Sequence, residues 1–133
     1  MKKIAKVIQY NEDKTIALCV DVDTWDTIHE YISRTPQHKK KFLFIANVIL
    51  KRLRNTDVYD KEDINSKCKD VTAMKFFKRG ANDRIYCKEQ KTEEKLFVVV
   101  AAELFEKKKT KGVNQKIKNI IEKVAKNEYE IIE

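Results

Sequence analysis

Residues 96–102 read L-F-V-V-V-A-A, apolar at every position. A strand with one face in water alternates apolar and polar side chains. A strand apolar at both parities has to be covered on both sides. The run therefore predicts the central strand of a covered sheet. It continues A-A-E-L-F-E-K-K-K-T-K-G, so Lys107, Lys108, Lys109 and Lys111 follow it directly. Folding gains nothing from stacking like charges. The cluster is either a solvated turn or a site for something negative.

At 133 residues the chain has room for one sizeable core, and a single domain over 1–133 is expected. Two glycines and one proline argue against disordered or collagen-like sequence. No apolar run approaches bilayer length, and the start M-K-K-I-A-K-V-I-Q-Y keeps a lysine inside its apolar stretch, unlike a signal-peptide core. A cytoplasmic protein without a membrane partner is expected. Cys19, Cys68 and Cys87 are odd in number, widely spaced and form no C-x-x-C pair, which suggests buried thiols rather than disulfides or a zinc site.

The net charge is +8. Residues 1–38 carry five basic and six acidic side chains, so the excess of +9 lies in residues 39–133. Such an excess attracts nucleic acid, anionic membrane or an acidic protein; the alternative is an ordinary lysine-rich surface.

Alternation and punctuation order the elements. Ile4, Val7, Ile8 and Tyr10 lead through the turn N-E-D-K to Ile16, Leu18, Val20 and Val22, a hairpin pattern. Asp23 or Thr24 can cap a short helix with Trp25, Ile28 and Ile32 on one face, ending before Pro36. A second helix carries Phe42, Ile45, Ala46, Ile49 and Leu53 as its stripe. Residues 55–70 show no pattern and read as a loop with at most one helical turn. Strands are expected at 71–77, 84–89 and 96–105, with links short enough for antiparallel hairpins. Asn114 can cap a last helix striped by Ile117, Ile120, Ile121, Val124 and Ala125, with Tyr129 near its end. The fold class is then α+β. Two helices precede a small antiparallel sheet, one C-terminal helix follows it, and the N-terminal β-hairpin, residues 1–22, is an addition.

The strand beginning at residue 84 puts Arg84, Tyr86 and Lys88 on one face and Ile85 and Cys87 on the other. Arg79 precedes Arg84 by five residues, and the lysine cluster begins where the apolar strand ends. RNA can be cut by its own 2′-hydroxyl attacking the adjacent phosphate. That reaction needs a proton acceptor, a proton donor for the leaving 5′-oxygen, and positive charge on the phosphorane. An arginine fork suits the last task, and crowding with other cations makes a lysine less basic. No metal or cofactor is required. Each residue also has a plainer reading: Arg84 holding an acid such as Glu94, Arg79 in a solvated turn, the lysines in a solvated loop, Tyr129 in packing. His29 and His38 have no paired ligands, which speaks against a metal site.

The tail half, roughly residues 70–130, resembles the RelE/HigB-type toxins of bacterial type II toxin–antitoxin systems. M-K-F-F-K-R-G-A-N-D-R-I-Y is similar to that family's strand, turn and strand with an arginine in each arm. L-F-V-V-V-A-A-E-L-F followed by E-K-K-K-T-K looks like its apolar strand running into F-x-K-K-x-x-K, with Phe105, Lys107, Lys108 and Lys111 in place. The helix I-K-N-I-I-E-K-V-A-K-N-E-Y stands where the family has its closing amphipathic helix. Val113 stands where the family pattern usually has proline. The resemblance implies a ribosome-dependent mRNA endonuclease neutralised by an antitoxin protein. Arg79 and Arg84 would stabilise the scissile phosphate, Lys107 and Lys108 would supply proton transfer and phosphate binding, and Lys111 would hold the backbone. Tyr129 is a further catalytic candidate. Charge and position add Lys75, Lys78 and Lys109 as RNA contacts. Two alternatives stand beside this: a ParE-type gyrase poison, and a non-enzymatic module of the same fold, a phage-derived one included, that binds nucleic acid or protein.

Overall fold

The computed structural model describes residues 2–62, 65–77, 83–106 and 115–133. The chain runs β1 (Lys3–Tyr10), β2 (Ile16–Asp21), α1 (Trp25–Ile32), α2 (Pro36–Leu50), β3 (Tyr59–Lys61), β4 (Val71–Lys75), β5 (Arg84–Lys91), β6 (Phe97–Phe105), α3 (Gln115–Lys126) and β7 (Tyr129–Ile132). A short 3-10 turn, Ser66–Cys68, precedes β4. α1 ends before Pro36, as the proline requires. The same proline opens α2 at its first position, with the Thr35 hydroxyl accepting the His38 N–H as the cap.

The fold is α+β, but the expected small antiparallel sheet is a seven-stranded mixed one, in the order β3-β4-β5-β6-β2-β1-β7. The hairpin is not an appendage. β1 and β2 pair antiparallel, and β2 also pairs parallel with β6 in the middle of the sheet. The two helices thus follow two strands of the sheet instead of preceding all of it. The physical reason lies in β2, which has no face to leave in water. Ile16, Leu18 and Val20 pack in the cluster under α1 and α2, Ala17 and Cys19 pack on the α3 side, and all five are buried. Large residues face two helices and small ones face one, a pattern that mimics half-burial in sequence.

β6 is covered on both faces as its composition demands. Val99 and Ala101 join Ile28, Ile45 and Ile85 on the α1/α2 side; Val98, Val100 and Ala102 join Ile117, Ile121 and Val124 on the α3 side. Each large aliphatic side chain so buried contributes about 1.5–3 kcal/mol. Residues 55–70 hold β3, an edge strand pairing antiparallel with β4, and β7 adds a parallel edge to β1. Leu53 lies beyond the end of α2 and is exposed, so it does not belong to that helix's stripe. No helix among the described residues is long and apolar enough to cross a membrane. Cys19, Cys68 and Cys87 are buried free thiols, and burial pushes Cys19 up to about 12.

Candidate functional site

One rung of the sheet crosses three strands: Lys75 of β4 faces Arg84 of β5, which faces Phe105 of β6. The chain therefore leaves β4, enters β5 and leaves β6 at the same end of the sheet. In sequence those three points flank 78–82 and 107–114, which carry six cations and no acid. Those six candidates, Lys78, Arg79, Lys107, Lys108, Lys109 and Lys111, lie outside the described residues. Lys75, Arg84 and Tyr129 lie within them.

Alternation along β5 sends Ile85 and Cys87 toward α1 and α2 and Arg84 to the opposite face with Tyr86. That opposite face is not open, because α3 covers it and Tyr86 is only 1% exposed. Arg84 itself keeps 22% of its side chain accessible. Its Nη1 donates to Oε1 of Glu62 rather than reaching Glu94, and its buried Nε has no hydrogen-bond partner. Glu62 follows β3 directly, its N–H donating to the Val71 carbonyl at 2.9 Å. Lys75 sits beside Arg84 and donates from Nζ to the Thr56 carbonyl at 3.1 Å.

Tyr129 stands elsewhere. It opens β7 instead of closing α3, and its backbone N–H and carbonyl meet the side chain of Gln90, toward the far end of β5 from Arg84, at 3.2 and 2.9 Å. It is 2% exposed; its hydroxyl donates to Asp21 Oδ2 at 2.7 Å and accepts from Asn127 Nδ2 at 3.0 Å. Lys3 Nζ meets the same Asp21 oxygen at 2.7 Å. Burial, and then the bond to Asp21, raise the Tyr129 hydroxyl well above its ordinary range. The structure thus brings Lys75 and Arg84 together and leaves Tyr129 in a buried polar network.

Three groups near this end had no signal in sequence. Arg34 at the α1–α2 junction binds Glu106, the first residue after β6, and Glu30; the bond to Glu106 most of all keeps it charged. Lys123 of α3 binds Glu103 at 2.8 Å. Tyr31, buried beneath α1, donates to Asp83 Oδ2 at 2.8 Å, next to Arg84 in the chain. Burial first, and then this bond, raise the Tyr31 hydroxyl. None of these partners is fewer than 20 residues apart in sequence except the helical pair Arg34–Glu30, so no local pattern announces them.

The chemistry available is a phosphate-binding fork beside a carboxylate. Arg84 offers planar donors for an anion, and Glu62 can accept a proton from a hydroxyl brought against them. Among the described residues no group of three or more His, Cys, Asp and Glu side chains is placed to hold a metal ion. A separate cavity of about 210 Å³ lies between α2 and the sheet, lined by Arg52, Tyr59, Glu89 and Phe97 with aliphatic side chains, and contains none of the candidate residues. Compared with known proteins, the chain matches no family model, no curated protein and no solved structure.

Proposed function

We propose that this chain is a cytoplasmic, RelE/HigB-like RNA endonuclease that cuts by 2′-hydroxyl attack on the adjacent phosphate and is held inactive by an antitoxin protein. The Lys75–Arg84–Phe105 rung carries the reading. It joins, at one end of one sheet, the strand termini that flank both cation-rich segments. A polyanion crossing that end meets Arg84 as the phosphate fork, with Lys75 beside it. Glu62, already hydrogen-bonded to Arg84, is positioned to take the 2′-hydroxyl proton. Lys107 and Lys108 then serve as the cationic proton donor and phosphate contacts, with Arg79, Lys78, Lys109 and Lys111 along the backbone.

The test is the product itself. Attack by the 2′-hydroxyl leaves a cyclic 2′,3′-phosphate, and a 2′-deoxy substitution at the cut position abolishes cleavage. Incubating the protein with message, with and without ribosomes, and mapping the ends reads both. A cut that survives 2′-deoxy substitution would overturn the mechanism; no cut under either condition would overturn the nuclease.

A second reading has its own observation. Arg84, Arg34, Lys123 and Lys3 each meet an acid, namely Glu62, Glu106, Glu103 and Asp21. A non-enzymatic module that binds nucleic acid through the two cation-rich segments alone needs none of these four to be released. Binding without cleavage would select it.

A further inference from the structure

Four rings form a closed group at the same end of the sheet. Tyr31 meets His38 edge-on at 4.7 Å and Phe76 at 5.1 Å, His38 meets Phe77 edge-on at 5.0 Å, and Phe76 and Phe77 lie 6.4 Å apart. The inner pair is anchored. Tyr31 and Phe76 are 0% and 1% exposed, and Tyr31 is tied to Asp83. The outer pair, His38 and Phe77, is half-buried. His38 is fixed in place: its N–H donates to Thr35 Oγ1 at 3.1 Å and its Nδ1 lies 2.7 Å from the same oxygen.

We propose that His38 and Phe77 form a base-stacking subsite for single-stranded RNA, an inference that rests on the RNA reading above. Rigid, partly exposed aromatic faces beside cationic segments are what unpaired bases stack on, and a duplex has no base faces to offer them. Position supports it. Phe77 is two residues past Lys75, while Arg84 lies across the β4–β5 rung on the other face of the sheet. A strand passing over this end sets a phosphate against Arg84 on the α3 side and the neighbouring base against the rings on the α1/α2 side.

The test uses the full chain and a short fluorescein-labelled RNA of mixed sequence, read by anisotropy, beside an abasic strand of equal length. Phe77→Leu and His38→Leu are each expected to weaken RNA binding by about tenfold, and to leave binding of the abasic strand at the wild-type level. RNA affinity unmoved by either variant, or lost equally for the abasic strand, would overturn the stacking subsite while leaving the RNA reading intact. A wild-type protein that binds no RNA would overturn both. Phe77→Trp in a Trp25→Phe background decides independently of any folding loss in the leucine variants. Quenching of its emission by RNA and not by the abasic strand supports the subsite; no quenching by bound RNA overturns it.

Discussion

Glu62 and a phosphate compete for one guanidinium, so the Arg84 fork is where the proposed chemistry is most exposed to test. The pair is partly solvated, with side chains 22% and 17% exposed, and an ion pair of that kind is worth up to about 1 kcal/mol. Glu62→Gln should therefore tighten RNA binding by at most about fivefold, measured by anisotropy at low salt. The same substitution removes the proton acceptor and should slow cleavage by about 100-fold or more. Tighter binding with unchanged cleavage would remove Glu62 from the chemistry. Tyr129 belongs to stability instead. Its hydroxyl is raised by burial and by Asp21 above the ordinary value of 10.0, so the unfolded chain ionises first as pH climbs. Its contribution is complete below about pH 10 and is lost as pH rises beyond it. Urea unfolding from about pH 8 to about pH 11 should show that fall, with a shallower slope in Tyr129→Phe.

The α3 helix closes one face of the sheet through Ile117, Ile121 and Val124, and it follows the lysine cluster in sequence. Ile121 is 1% exposed, and Ile121→Ala should cost about 2–5 kcal/mol by denaturant titration. A loss under about 1 kcal/mol would mean that α3 is not packed as described. This helix, α1, α2, the hairpin and the strands β4 and β5 were legible because each repeats at its own period over several residues, and β6 because it is apolar at both parities. β3 was not: Tyr59–Lys61 is three residues with no alternation to read. β7 was not because Tyr129–Ile132 directly follows a strongly periodic helix. The parallel pairing of β2 with β6 joins residues about 80 positions apart, and a strand's side-chain pattern does not name its partner. The same distance hid the site. Arg84 and Lys75 stood out by type, but the Glu62 that Arg84 binds lies 22 residues away in sequence and beside Val71 in the sheet, which no local pattern shows.

Across the whole molecule, connectivity ties the segments 78–82 and 107–114, with six cations and no acid, to one end of the sheet. If that end holds RNA, affinity should fall steeply with salt, by about 0.7 in logarithmic slope for each phosphate neutralised. Replacing Lys107, Lys108, Lys109 and Lys111 by Gln should reduce the slope by about three; an unchanged slope would place the RNA elsewhere. The most direct measurement is message cleavage in a cell-free translation reaction, mapped by primer extension. Wild type would run beside Arg84→Ala and a Lys107→Ala/Lys108→Ala double variant. Discrete cuts that disappear in both variants are the predicted result. Cuts that persist in both, or an intact message with normal translation in the wild type, would contradict an RNA-cutting site at this end of the sheet.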